Sequence, residues 1–299
     1  METPRRIAIL AHPQVATAPA EAQRIAEYLA PKAERVSYGL LYDAKLRARV
    51  DGGEFDVVIA LGGDGTMLRA GHLCAPSNTP ILGVNLGKFG FLFEIGLEDL
   101  PRRLNDLMRG AYWLEVRMML NCTHWREGKK LGEWDALNEV VVSRGAIVRP
   151  VHLITEVDGR YLTTYVADGL VAATPTGSTA YALAAGGPIL PPELRNILLV
   201  PVAPHLSIDR PIVLAEGASV RITVRTDHQA VASVDGQPPI SLQTGDQIAA
   251  QAGSHNVSFV RFGDPDYFYR NLTPHMNRNP VTAARSQVSG GSGQQSMVS

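Results

Sequence analysis

The feature that most constrains this chain is a short apolar run, Asp56–Leu61 (DVVIAL), that ends on Gly62-Gly63-Asp64-Gly65-Thr66. The run is too short for a helix and is bounded by glycines, so it predicts a strand buried within a parallel sheet. A helical pattern follows from Thr66 to Leu73, which makes the glycines the turn between that strand and a helix N-terminus. Glycines there permit positive φ and let backbone N–H groups approach an anion with no Cβ in the way. The helix directs its positive end at the same anion. Asp64 falls at the carboxyl end of the strand, where open α/β sheets place their ligand crevice. A bare Asp-Gly pair reads as a plain turn. Two glycines before the Asp, a third after it and a threonine next favour a phosphate loop. It is neither a Walker A loop, since GxxxxGK[ST] is absent, nor a dinucleotide fingerprint, since the third glycine is missing.

The surrounding pattern extends the α/β reading. Arg6–Ala11 and Pro80–Val84 predict further buried strands, Glu21–Leu29 and Leu97–Met108 predict helices, and Gly110 is placed to cap the second helix. Alternating elements of this length imply a doubly wound domain over residues 1–111. Beyond Ala111 the character changes to short strands, predicted at Val140–Ser143, His152–Val157, Tyr161–Val166, Gly169–Ala173, Ile212–Leu214, Val220–Thr226, Val231–Val234, Ile248–Gln251 and Val257–Val260. Asp158-Gly159 and Asp235-Gly236 are hairpin turn signals, and only Gly177–Ala185 reads as a helix. A β-rich, sandwich-like domain is expected over 112–262. A segment at 263–275 is expected to return to the N-terminal domain. The tail 276–299, Ser/Gly/Gln-rich from Ser286, is expected to be disordered.

Composition removes several function classes. The net charge of −1 over 299 residues makes no electrostatic case for nucleic acid or an anionic membrane. Cys74 and Cys122 form no CxxC pair and suggest a reducing compartment without a zinc site. The apolar stretch Ile7–Leu10 is too brief for a signal sequence, and no segment reaches spanning length, so a cytoplasmic protein is expected.

A second loop carries comparable chemistry. Asp168-Gly169 opens the run DGLVAATPTGSTAYALAAGGPI, in which hydroxyls and a glycine again precede a predicted helix start near Ser178. The GGDGT string resembles one shared by NAD kinases, by diacylglycerol- and sphingosine-type lipid kinases and, more distantly, by phosphofructokinases. Alone it implies phosphoryl transfer with the acceptor open. The TPTGSTAY run resembles NAD kinases specifically. Asn138-Glu139, His205 upstream of Arg210-Pro211-Ile212-Val213, and Val234-Asp235-Gly236-Gln237 fall in that family's order, and the resemblance covers about Arg5 to Leu272.

The resemblance implies a kinase that phosphorylates the adenosine-ribose 2′-hydroxyl of NAD, with ATP or another phosphate donor. Phosphoryl transfer to an alcohol needs a group that orients the hydroxyl and accepts its proton, and Asp64 is the expected base. Gly65 and Thr66 are expected to cradle phosphates, and Arg69 resembles a basic position that contacts the dinucleotide. Asn138 and Glu139 resemble the pair that bonds ribose hydroxyls, and Asp168 is expected to hold the nicotinamide half. Thr179, Ala180, Tyr181, Ala182, Leu183 and Ala184 are expected to line the base pocket, with Gln237, Arg149 and Ala203 completing the site. Ala182 and Ala184 stand where many relatives carry a polar residue, so contacts there are expected from backbone. No residues have metal-cage spacing, so Mg²⁺ or another divalent cation is expected to arrive with ATP. The family also implies a homodimer or homotetramer. The competing readings are a lipid or small-alcohol kinase using the same loop, and a non-catalytic dinucleotide-binding protein. The first would need an apolar groove and a membrane-binding surface, and the second would not need Asp64.

Overall fold

The computed structural model describes residues 1–265 apart from 88, 89, 206 and 207, together with 268, 269 and 272. Its first third alternates strand and helix. The elements are β1 (Arg6–Ala11), α1 (Ala18–Leu29), β2 (Arg35–Leu40), α2 (Ala44–Asp51), β3 (Val57–Gly62), α3 (Asp64–Cys74), β4 (Ile81–Asn85), the short β5 (Ile95–Gly96) and α4 (Leu100–Met108). The main strands run parallel in the order β2-β1-β3-β4. Side chains alternate across a strand, and here both faces are covered. Ile7, Ile9, Ile59 and Leu61 pack with α1 and α4, whereas Ala8, Leu10, Val58 and Ala60 pack with α2 and α3. That two-sided cover is why DVVIAL lacks polar alternation.

The remainder is β6 (Trp113–Arg126), β7 (Lys129–Ala136), β8 (Glu139–Arg144), β9 (Val151–Val157), β10 (Arg160–Ala167), β11 (Gly169–Ala173), α5 (Tyr181–Ala184), β12 (Ile197–Val202), β13 (Ile212–Leu214), β14 (Ser219–Arg225), β15 (Ala230–Val234), β16 (Ile240–Leu242) and β17 (Gln247–Arg261). One sheet runs β10-β9-β14-β17-β4-β3-β1-β2, with β6 attached to β17, β7 to β6 and β5 to β4. The second runs β13-β12-β11-β8-β15-β16. Val140, Val142, Leu170 and Leu199 of the second sheet share one core with Tyr165, Ile222 and Ile248 of the first, which makes the sandwich. β17 joins the two regions. It is antiparallel to β14 and β6 and then parallel to β4 at Phe259 and Ile81, so the larger sheet is continuous from one region to the other.

Three differences from the sequence reading have physical causes. Ile248–Gln251 and Val257–Val260 are not separate strands but parts of β17, whose register shifts between Ala252 and Asn256. The intervening Gly253-Ser254-His255 imitates a turn in sequence, yet the chain stays extended against β6. The helix expected over Gly177–Ala185 is broken at Ala180 (φ −101°, ψ −127°) into a 3₁₀ turn, Gly177–Thr179, and the four-residue α5. Finally, β2, α2, β6, β7, β12 and β16 were not foreseen. β2, β7 and β16 are edge strands, and β2 (RVSYGL) and β7 (KKLGEWDA) are too polar to show a buried pattern. The polar α2 is secured instead by Asp43, whose carboxylate accepts the Lys45 and Leu46 N–H groups. Gly110 follows α4 with φ +69°, as a helix-terminating glycine should.

Among the described residues no helix is long and apolar enough to cross a membrane. The segment expected at 263–275 is described only in part, and the tail 276–299 lies outside the described residues.

Candidate active site

β1 leads to β2 on one side and β3 to β4 on the other, so the sheet's connections diverge between β1 and β3. The carboxyl ends of these two strands are where such a sheet opens a ligand crevice. His12 follows β1, and its N–H donates to the Leu61 carbonyl at 3.1 Å beside the glycine loop. Asp64 stands at the first turn of α3. Its Oδ2 accepts the Phe91 N–H at 3.0 Å and its Oδ1 the Leu92 N–H at 3.2 Å. Gly90 lets that backbone come close, since a Cβ there would lie 2.6 Å from Asp64 Oδ1. Two amides thus fix the orientation of the carboxylate at the positive end of an eleven-residue helix.

Thr66 is buried, and its hydroxyl accepts the Gly63 N–H at 3.3 Å. A Cβ on Gly62 would collide with that hydroxyl, so glycine is required for the loop to close on it. The Thr66 side chain therefore locks the loop. Arg69 folds back to donate from Nη1 to the Gly65 carbonyl at 3.0 Å. Burial and then the Arg69 charge hold His12 below the ordinary imidazole range.

The second corner forms at the start of β8. The Asp235 carboxylate is 1% exposed. Its Oδ1 accepts the Asn138 and Glu139 N–H groups, each at 2.9 Å, and its Oδ2 accepts the Leu137 N–H at 2.6 Å. Glu139 is buried, takes a hydrogen bond from the Tyr181 N–H, and has no partner for Oε2 among the described residues. Burial, reinforced by the Asp235 charge, pushes its carboxyl up to about 8. Gln237 is exposed on the same hairpin tip as Asp235.

The hydroxyls of the second loop are internal staples. Thr174 is fully buried, donates to the Leu137 carbonyl and accepts the Gly177 N–H. Ser178, also fully buried, donates to the Pro175 carbonyl at 2.6 Å and accepts the Leu190 N–H at 2.9 Å. Thr179 donates to the Thr176 carbonyl at 3.1 Å. Gly177 is required because a Cβ there would meet the Asn138 carbonyl. Ala182 is fully buried with Val171, Leu198 and Val200, so its side chain faces core rather than a ligand. Tyr181 is 44% exposed, and Ala184 lies at the surface.

The remaining expected residues lie at the other end of the same strands. Asp168 pairs with Arg144 Nε at 3.0 Å, at the end of β8 opposite Glu139. Six residues of β8 separate the two ends by about 17 Å. Arg149 is exposed on the loop after β8, and Ala203 follows β12 with φ +45°. A cleft of about 240 Å³ lined by Val141, Arg144, Asp168 and Tyr181 lies along this face. The structure thus brings the Asn138-Glu139 corner and the Tyr181 backbone together, and places Asp168 in a cleft with Tyr181 but at the end of β8 opposite Glu139. His12, His72, Arg144 and Asp235 were missed as contributors. Asp235 alone carried a signal, its place in the Val234-Asp235-Gly236-Gln237 tip. Among the described residues no three His, Cys, Asp or Glu side chains converge as a metal cage.

Residues 30–112 match the ATP-NAD kinase N-terminal domain family, and residues 137–262 match the ATP-NAD kinase C-terminal domain family. The NAD kinase of Chloroflexus aurantiacus is 38% identical over 274 residues, spanning 92% of this chain and 99% of that protein. The NAD kinase of Chloroflexus aggregans is 45% identical over 224 residues, spanning 75% of this chain and 81% of that protein. Among solved structures, the NAD kinase of Archaeoglobus fulgidus in complex with ATP is similar with a TM-score of 0.72 and 25% identity, covering 91% of this chain and 99% of that one. Yeast NADH kinase complexed with NADH shares the fold with a TM-score of 0.76 at 23% identity, covering 100% of this chain and 91% of that one.

Proposed function

The chain belongs to the ATP-NAD kinase family and is an enzyme that phosphorylates NAD, and from that premise we propose how its residues divide the work. The terminal phosphoryl group of ATP passes to the 2′-hydroxyl of the adenosine ribose. The bond from the terminal phosphorus to ADP breaks, a bond from the ribose oxygen to that phosphorus forms, and the hydroxyl proton goes to Asp64. The observation that carries this reading is the Asp64 carboxylate, held by the Phe91 and Leu92 N–H groups at the N-terminus of α3. Such transfers ask little covalent chemistry of the protein, so catalysis is mainly positioning and charge stabilisation. Asp64 orients the hydroxyl, while the helix terminus and Arg69 face the phosphates.

Asn138 and the unpartnered oxygen of Glu139 receive the ribose diol. Gly65, Thr179, Ala180, Leu183 and Ala184 contribute backbone or edge contacts, and Gln237 closes the tip. Tyr181 offers its ring along the face leading to Asp168, which with Arg149 and Ala203 receives the nicotinamide half. A divalent cation arriving with ATP would neutralise charge on the phosphates, and among the described residues no three His, Cys, Asp or Glu side chains stand together to hold it in a cage. The division at about residue 112, a cytoplasmic location and a homodimer or homotetramer complete the proposal.

The test is purified protein with Mg²⁺, ATP and NAD, read out by an NADP-specific dehydrogenase. NADP formation by the wild type and its collapse in Asp64→Asn are expected. Equal rates for both proteins would remove Asp64 as the base.

A further inference from the structure

Two corners of the site come from distant parts of the chain, and one side chain outside both joins them. His72 lies two turns after Asp64 on α3. Its Nε2 donates to Asp235 Oδ2 at 2.7 Å, across 163 residues of sequence. The same carboxylate accepts the amides of Leu137, Asn138 and Glu139, so all four donors converge on two oxygens. Such a set fills the acceptor capacity of a carboxylate. The helix that presents Asp64 is thereby tied to the backbone that presents Asn138 and Glu139. Apolar packing supports the same joint, since the face of α3 at Gly71 meets Leu137, where an added Cβ would stand 3.2 Å from its Cδ2.

We propose that His72 is a positioning residue for the acceptor site, holding the Asn138-Glu139 corner in register with the Asp64 end of α3 through the Asp235 carboxylate. This rests on the NAD-phosphorylating reading and adds to it a residue that touches neither substrate. A plainer account is available: His72 sits in the last turn of α3, where a basic side chain favours the helix dipole. That account does not call for an aimed hydrogen bond, and the His72 side chain is only 24% exposed with its donor spent on a buried acceptor. Proximity arguments set the scale. The reacting oxygen must approach the phosphorus in line, and a shift of about 1 Å between two site-bearing elements can cost about a hundred-fold in rate.

The experiment compares His72→Ala, His72→Asn and His72→Gln with wild type in steady-state kinetics, varying NAD and ATP separately. Glutamine carries an amide N–H at nearly the reach of Nε2 and no charge, whereas the asparagine amide falls short while keeping a polar group in place. Expected is a fall of about 10- to 100-fold in kcat/KM for NAD in the Ala and Asn variants, with the ATP KM within about two-fold. The Gln variant should recover to within about three-fold of wild type, which neither a charge nor a dipole effect would produce. The proposal is overturned if Ala and Asn variants keep kcat/KM for NAD within about two-fold of wild type, or if Gln is as impaired as Ala. A wild type that makes no NADP would instead remove the functional reading itself, so the two failures are distinct.

Discussion

Leu61–Thr66 and Thr174–Ala184 look alike in sequence: each follows a buried strand, carries glycine and hydroxyl residues, and leads into a helical pattern. In the folded protein they do different work. The first opens an eleven-residue helix and presents a carboxylate fixed by two amides. The second opens a four-residue helix, and its buried hydroxyls at Thr174 and Ser178 bond inward to Leu137, Pro175 and Leu190. Composition therefore measures the capacity for backbone approach and hydrogen bonding, and burial decides whether a ligand or the protein itself uses it. Thr66 makes the point within the first loop, since its hydroxyl too is turned inward to close the turn.

The sharpest test of this contrast is Asp64→Asn. It should cut turnover by about 10²- to 10⁴-fold, the usual range for a positioned acid–base group, while NAD affinity by calorimetry stays within a few-fold. Asn can still accept one of the two amide bonds, so the loop should persist. Near-normal turnover would shift the base to Glu139 or Asp168 and leave the first loop a binding element only.

Next is Glu139, which the second loop buries through the Tyr181 N–H. A carboxyl raised from 4.5 to about 8 on folding binds its proton more tightly in the native state than in the unfolded one. Native stability therefore falls as pH climbs from about 4.5 to about 8, the opposite sense to a salt-bridged carboxylate. Glu139→Gln removes that penalty. The variant should be more stable than wild type by about 1–3 kcal/mol at pH 8.5, with the difference vanishing near pH 4.5. Thermal melts at both pH values check it, and a gap independent of pH would show that Glu139 is not held neutral.

The staples themselves are tested by Ser178→Ala, which leaves the Leu190 N–H and the Pro175 carbonyl without their hydroxyl partner. A loss of about 1–3 kcal/mol in chemical denaturation is expected. If Ser178 instead served the ligand, stability would hold while the NAD KM rose.

The smallest expected effect lies in ligand preference. Measured at pH 9, where a carboxyl raised to about 8 is ionised, Glu139→Gln should weaken NAD and weaken NADP less, because the carboxylate beside the new phosphate repels it and a neutral amide does not. At an effective dielectric of about 20 a pair of charges ~4 Å apart interacts by about 4 kcal/mol before offsets, and a few-fold shift in the ratio of dissociation constants is the part expected to survive screening. A ratio that does not move toward NADP would place the ribose away from Glu139.

Much of this molecule was legible in the sequence because its signals are local. Strand-turn-helix order around Asp64, the doubly wound first third, the change to β structure after Ala111 and the Asp235-Gly236 turn each follow from periodicity and from what glycine permits within a few residues. The turn conformation is as the dipeptide implies, with φ of +48° and +68°. Polar edge strands such as β7 gave no such signal, since half-exposed residues carry no buried alternation. Only the tertiary structure decided three things: that Gly253-Ser254-His255 continues β17, that the hydroxyls of Thr174 and Ser178 face inward, and that Asp235 gathers His72 with the amides of Leu137, Asn138 and Glu139. The first and third depend on partners far away in the chain: β6 for β17, the amides 96 to 98 residues from Asp235, and His72 at 163. A hydrogen bond over such a span leaves no periodicity in the sequence. It exists because burial removes water as a partner, and the donors and acceptors left inside must then find one another.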